Sequence, residues 1–463
     1  MSAPNVRDAP AASETESLYQ ALPDVRDEAF SADRSVRPAW QGLFESIGRH
    51  QLPVIETWQR EADRIARERG LAYRYESLEK DHVAGWRLDP IPWIFSEADW
   101  ARIDAGLSQR LQLYDLILRD LYGEQTLLKD AKIPRAIIYR HSQYVRALVG
   151  YGVGDRRGEI RLGMSGFDLS LDATGTPFVI NDRYDCPFGL GLALENRSIT
   201  NRVLPRLFRR NRIRQVGPFF ESWFQFLQRH GEALSEEPTI AIADVDSEHR
   251  DAEIGFLSNY CGMMRVHPED LTVRDGRVSI RALQGLVPID VIWRTTSGAG
   301  SDALESEQRS EASIAGLFQA LRVGGVAMAS HPGCGLLQCP AFYPFLRQLC
   351  RDWLDQDIIL PSVATWWCGQ PKERDHVLAN LDNLVIKSAF HHHSFNPVRG
   401  CCLSQEEKAK LKQQILHSPE AFVGQEDALV STVPTTRGRQ LIPERAALRV
   451  FGFLDDVEGA QVM

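Results

Sequence analysis

The sequence predicts a soluble mixed α/β protein whose two or three subdomains share a cleft. Three observations lead there. The chain has 463 residues, too many for one ordinary core. From Pro238 to Ser330, and again over the last third, apolar strand-like runs alternate with helical patterns, as in a mostly parallel, helix-covered layer. No apolar run approaches the ~20 residues of a membrane span, while 43% hydrophobic and 25% charged residues describe a globular chain.

The elements follow in order. Met1 to Val36 is rich in Ala, Ser, Pro, Asp and Glu and reads as a disordered tail. It lacks the basic start and apolar stretch of a secretion signal, which points to the cytoplasm. Residues 37–150 form a helical and extended region. Leu52 to Arg69 is helical and Gly70 stops it. Trp86-Arg87-Leu88-Asp89-Pro90-Ile91-Pro92-Trp93 has prolines two apart, so extended chain on a surface is expected. Ser96 and Asp99 have capping-box spacing. The stripe Trp100, Ile103, Leu107, Leu111, Tyr114, Leu118, Leu121 then predicts a long buried helix ending at Gly123. Phe167–Leu171 and Pro177–Ile180 read as strands about the turn Asp172-Ala173-Thr174-Gly175. Thr239–Val245, Ile289–Arg294 and Val326–Ala329 read as strands between helices Glu253–Met264 and Ala312–Arg322. Leu271–Ile280 is a hairpin about Asp275-Gly276. Asn383–Lys387, Ala421–Gln425 and Ala446–Phe453 are strands, and Glu406–Leu416 is a helix.

Four segments carry chemistry. The hairpin places Asp168 near Asn181, Asp182 and Asp185, and facing Asp and Asn/Asp side chains suit Mg²⁺ held against phosphate oxygens. Turn and strand-end acids give the same spacing. Arg197, in Leu194-Glu195-Asn196-Arg197, offers a bidentate grip on phosphate or carboxylate, or a helix-surface ion pair. Arg294 ends the strand Ile292-Trp293-Arg294, where α/β sheets bind ligands at their carboxyl ends. Lys387 ends an apolar strand, and a lysine there is costly to bury unless it meets an anion. Gln425 and Glu426 close another strand and suit an adenine edge or a ribose.

Other features exclude more than they suggest. The net charge of -9 argues against a general nucleic-acid binder. The arginines from Arg206 to Arg214 read as a solvated surface with packed stems. The cysteines lack CxxC or zinc-finger spacing, so free thiols are expected. His391, His392, His393, Cys401 and Cys402 are zinc-type ligands but read as a solvent-facing loop. Trp366, Trp367 and Cys368 read as a packed aromatic corner.

Several strings, in order, resemble the circularly permuted ATP-grasp type 2 family, distantly similar to glutathionylspermidine synthetase. They are Trp86-Arg87-Leu88-Asp89-Pro90-Ile91-Pro92, Gln109-Arg110, Asp120-Leu121-Tyr122-Gly123, Ala193-Leu194-Glu195-Asn196-Arg197, Ile289-Asp290-Val291-Ile292-Trp293-Arg294, Ala364-Thr365-Trp366-Trp367-Cys368-Gly369, Asn383-Leu384-Val385-Ile386-Lys387 and Gln425-Glu426. The similarity is closest to the branch usually fused to a helical domain.

The resemblance implies an ATP site between two α+β subdomains, in residues 151–355 and 356–463. The implied reaction is ATP-dependent joining of a carboxylate and an amine through an acyl-phosphate, on a peptide or amino-acid substrate. The implied cofactors are ATP and Mg²⁺. By position, Asp168, Asn181 and Asp182 fall to the metal, Lys387 to the nucleotide phosphates, Gln425 and Glu426 to adenosine, and Arg294 and Arg197 to the reacting groups. The alternative is a catalytically degenerate relative that binds nucleotide or peptide as a partner subunit.

The sequence departs from the family pattern at several places. The family's metal-binding Glu and Asn positions hold Asn181 and Arg183, with Asp182 and Asp185 as nearby substitutes. Its glycine-rich stretch reads Ala389-Phe390-His391-His392-His393. Thr295 replaces a second arginine. The chain stops at Val462-Met463, where the family continues, so that edge of the ATP site is expected to be incomplete or supplied by a helical-domain partner. Neither nucleic acid nor membrane is an expected partner.

Overall fold

The computed structural model describes residues 19–50, 53–75, 82–85, 87–152, 159–244, 251–307, 310, 312–390, 395–438 and 440–463. Met1–Leu18, Trp86 and His391–His393 lie outside these residues.

The N-terminal region is helical, with helices Gln41–His50 and Pro53–Glu68, the second burying Ile55, Ala62, Ile65 and Ala66. The expected tail over 1–36 is corrected from residue 19 onward. Tyr19, Ala29 and Phe30 are buried with Trp40 and Phe44. The backbone of Glu28 donates to Thr432 at 2.9 Å, and Thr432 donates back to Arg26 at 2.9 Å. Composition misled here because a few apolar residues in a polar stretch suffice when a strand edge offers backbone partners. The segment after Trp86 is also less exposed than its prolines suggest, for Ile91 is buried and Trp93 stacks on Phe95 at 5.0 Å.

The long helix forms as its stripe predicts and runs over Glu97–Tyr122. Ser96 accepts from the Asp99 amide at 3.1 Å, satisfying one of the end donors. Ile103, Leu107, Leu111, Tyr114, Leu118 and Leu121 are all buried.

Among the described residues there are three four-stranded sheets, one of which packs directly on this helix through Leu448–Asp455 and Gly459–Val462. The parallel sheet runs Ala327–Ala329, Val291–Arg294, Ile240–Ala243, Met264–Val266, with every neighbour parallel. Its alternate residues feed two cores. Ile240, Ile242, Val291 and Trp293 pack with the helix Gly217–Glu232, while Ala241, Ile292 and Met328 pack with Leu317, Phe318 and Leu321. Both faces are covered, as parallel strands require. Asp275 and Gly276, at φ 51° and 76°, make the tight turn of an accessory hairpin, Leu271–Arg274 with Arg277–Ala282.

The hairpin sheet is antiparallel and runs Gly459–Val462, Leu448–Asp455, Ser165–Leu171, Pro177–Arg183. Residues 356–463 are therefore not one unit. The chain returns after residue 445 to pair with strands some 280 residues earlier, as in Arg449 opposite Asp168.

The lysine sheet runs Thr365–Trp367, Phe422–Glu426, Leu384–Ser388, Val398–Arg399, also antiparallel. Helices Pro371–Ala379 and Gln405–His417 cover one face, where Val377, Leu411 and Ile415 pack on Leu384 and Ile386. Gly424 is required there, because a Cβ would lie 2.7 Å from Val377 Cγ2. The other face looks toward the hairpin sheet. Two backbone bonds stitch the sheets together, Val179 N–H to Pro361 at 2.9 Å and Val363 N–H to Val179 at 2.8 Å.

Trp223 anchors the core beside the parallel sheet. Its ring lies 5.1 Å from Phe453, 5.2 Å from Trp293 and 5.3 Å from Phe226. Trp223→Ala is expected to cost about 3–5 kcal/mol, read by urea unfolding.

Candidate active site

The cleft between the hairpin and lysine sheets is built by strand register. Asp168 lies opposite Arg449 on one side and Asn181 on the other, so all three share one face. Arg183, two residues beyond Asn181, joins them by the period of two. Gly166 is its cross-strand neighbour, and a Cβ there would meet Pro187 Cβ at 2.9 Å. From the facing sheet, Lys387 Nζ donates to Asn181 Oδ1 at 3.3 Å.

Asp168 is clamped. Arg449 Nε donates to Oδ1 at 2.7 Å, Arg183 Nε donates to Oδ2 at 2.9 Å, and Asn181 Nδ2 donates to Oδ2 at 3.3 Å. Burial alone would raise its carboxyl, but the two guanidiniums outweigh it and hold it below the usual range. Arg449 also donates to the Phe188 carbonyl at 2.9 Å. Burial, reinforced by the charge of Arg183, lowers the Lys387 ammonium to about 8, against the pull of Asp168. Lys387, Arg183 and Arg449 thus gather around one carboxylate, an arrangement suited to a polyanion.

Gln425 lies on the Lys387 face, since Gln425 pairs with Val385 and Val423 pairs with Lys387. It is buried and donates to Thr365 Oγ1 at 3.0 Å. Glu426 does not join it. Glu426 pairs with Leu384, whose side chain belongs to the helix-covered core, and is exposed on that opposite side of the pleat.

Three further expectations are corrected. Asp182 faces the core, not the cleft. It accepts from Arg110 at 2.7 and 2.6 Å and from the Tyr114 hydroxyl at 3.0 Å, with neither charged side chain more than 1% exposed. Alternation excludes it from the metal face, because 182 lies between 181 and 183. Arg294 ends its strand as expected but is spent internally. It pairs with Asp185 and donates to Thr296 O at 2.7 Å, Ser330 O at 3.2 Å and His331 O at 3.2 Å. Asp185 is thereby removed as a substitute metal ligand. A pocket beside Arg294 is lined by Cys186, Glu253, Trp293 and Ser330. Arg197 lies over the Phe208 ring at 5.7 Å and its guanidinium is lowered by burial. It sits seven residues along the helix Leu190–Val203, roughly 10 Å from the end nearest Arg449 at 1.5 Å per residue.

The residues present do not fit Mg²⁺. A hard cation needs oxygen ligands. Asp168 gives its oxygens to guanidiniums, Asn181 gives Oδ1 to Lys387, and Asp182 and Asp185 are engaged elsewhere. Among the described residues no group of three or more His, Cys, Asp and Glu could hold a metal. Cys401 and Cys402 are exposed, with their sulfurs 3.7 Å apart. Trp367 donates to Glu420 O at 3.0 Å, and burial pushes the Cys368 thiol up to about 12, so that corner is packed and inert.

Sequence reasoning missed Arg449, although a lone arginine within the apolar run 446–453 was a signal. It also missed Glu253, whose carboxylate accepts from the Gly189 and Gly191 amides at 2.7 and 3.1 Å and so caps the helix Leu190–Val203.

Two outcomes test these placements. Asp182→Ala leaves Arg110 buried without its partner and is expected to cost about 3–5 kcal/mol in urea unfolding. Lys387 titrates near 8 in the folded chain and near 10.5 unfolded. The unfolded state therefore binds more protons across that window, and stability rises with pH there. Thermal midpoints from pH 7 to 10.5 are expected to show this rise in the wild type and to lose that part of it in Lys387→Met.

Comparison with known proteins places the chain. An uncharacterized protein of Mycobacterium bovis is 30% identical over 434 residues, covering 92% of this chain and 48% of the relative. The chain thus spans about half the length of the first curated relatives it matches. An uncharacterized protein of Synechocystis is 26% identical over 426 residues, covering 92% of this chain and 88% of the relative. Among solved structures, a glutathione synthetase-like effector from Globodera pallida in apo form superposes with a TM-score of 0.56 at 11% identity, over 87% of this chain and 89% of that one, a likeness of fold. Among the described residues no helix is long and apolar enough to cross a membrane. Residues 92–463 match the family model itself, and the chain belongs to the circularly permuted ATP-grasp type 2 family.

Proposed function

We propose that the cleft between the hairpin and lysine sheets binds the triphosphate of ATP, in an ATP-dependent ligase that joins a carboxylate to an amine. The observation that carries this reading is the meeting of Lys387 with Arg183 and Arg449 across two sheets of an ATP-grasp fold. Negative charge spreads over the transferring phosphoryl oxygens, and fixed cations oppose it best. The substrate carboxylate would attack the γ-phosphorus to give an acyl-phosphate and ADP. A peptide or amino-acid amine would then displace phosphate and form the amide. Gln425 lies on the Lys387 face, which supports it as the residue that meets the adenosine side. A helical-domain protein partner belongs to the same proposal.

One observation favours the second reading, a nucleotide-binding partner subunit without catalysis. Asp168, the carboxylate that ligation would need at the phosphates, is held by two arginines.

Calorimetric titration with ATP tests the shared premise. Lys387→Ala is expected to weaken binding by about 10- to 100-fold, the worth of a charged hydrogen bond. No heat in the wild type would overturn both readings. Amine-dependent ADP release, with mixtures of amino acids and short peptides as acceptors, then separates ligase from binding subunit.

A further inference from the structure

The cleft carries positive charge where the fold's nucleotide chemistry ordinarily calls for a divalent cation. This inference rests on the phosphate-binding reading above and specifies which form of the nucleotide the site takes. We infer that Arg183 and Arg449 act in place of the metal, so that the site binds the metal-free triphosphate in preference to its magnesium complex.

Three features support this. First, the register leaves no slot for a cation. Asp168 and Asn181, the cross-strand pair closest to the phosphate lysine, direct their oxygens to Arg449, Arg183 and Lys387 at 2.7 to 3.3 Å. Mg²⁺ holds near-ideal octahedral geometry among oxygens and gives up its waters reluctantly. To enter, it would have to break these bonds and then sit beside three cations.

Second, the exposures run in the right direction. The Asp168 side chain is 13% exposed, whereas those of Arg183 and Arg449 are 39% and 31% exposed. The carboxylate is the more buried partner and positions the guanidiniums, which reach solvent. A guanidinium offers five N–H donors in a planar fork that matches phosphate oxygens. Asp168 uses part of the Arg183 fork, while Arg449 spends Nε and Nη2 on Asp168 and Nη1 on the Phe188 carbonyl, so the second N–H of each Nη is what remains for a ligand there.

Third, Lys387 reaches the same clamp from the facing sheet, its Nζ donating to Asn181 Oδ1 at 3.3 Å. A metal-free triphosphate brings more negative charge to these three cations than its magnesium complex does.

The experiment is calorimetric titration of the full chain with ATP, once with excess EDTA and once with excess MgCl₂, repeated with inorganic tripolyphosphate. The expected result is at least tenfold tighter binding in EDTA. Arg183→Asn, which removes one guanidinium and leaves Asp168 on Arg449, is expected to shrink that preference. Asn181→Asp with Arg183→Asn places two carboxylates on adjoining strands and is expected to turn the preference toward magnesium. Thermal midpoints of each variant report whether it is folded, and Arg183→Lys is expected to retain the metal-free preference. ATP binding that requires magnesium would overturn this inference and leave the nucleotide-site reading standing. Metal-free tripolyphosphate binding without ATP binding would uphold the inference and overturn the nucleotide. No binding of either probe in either condition would overturn both.

Discussion

Arg110 and Asp182 meet with almost no exposure, and their pairing decides which face of the strand Pro177–Arg183 looks into the cleft. Asp182 must lie against the long helix, because a buried carboxylate without its guanidinium is costly. The pleat then sends Asn181 and Arg183 the other way. From that one choice follow the clamp on Asp168, the reach of Lys387 across the gap, and the exclusion of Asp182 from any ligand. Tyr114 reinforces the choice by donating to the same carboxylate from the next turn of the helix.

Much of the architecture was legible in the sequence because local signals agreed with one another. The Ser96 cap, the stripe to Leu121 and the strand Ile289–Arg294 all appear close to where their periods put them. The parallel sheet follows from alternation, and the Asp275-Gly276 hairpin from its turn. The pairing of Leu448–Asp455 with Ser165–Leu171 was not legible, since nothing local encodes a partner 280 residues away. Residues 19–36 were misread for the same reason, their support being the distant backbone of Thr432.

The site was legible in its residue types and less so in their directions. Asp168, Asn181 and Lys387 do come together. Asp182 and Glu426 fall on the far faces of their strands, and counting by twos from Asn181 and from Gln425 gives that result. Arg294 could not be sorted by parity. It ends its strand at the sheet's carboxyl edge, but Asp185, Thr296 and Ser330 consume its donors, and only the packed structure reveals how many acceptors surround a buried guanidinium. The family resemblance pointed to segments several of which meet in the cleft; which of their side chains face it was decided by packing.

The stitching of Pro361–Val363 to Val179 bears on how the cleft can move. Both backbone bonds lie two residues from Asn181, at the root of the strand Thr365–Trp367. The lysine sheet therefore cannot slide past the hairpin sheet without tearing main-chain bonds at that seam. The strand that bears Lys387 is held at its far end as well, where Ala389 and Phe390 are buried in the main core and Cys339 Sγ donates to Ala389 O at 2.7 Å. The wall that carries Lys387 is thus pinned on both sides of the cleft, and the gap a ligand meets is set before it arrives.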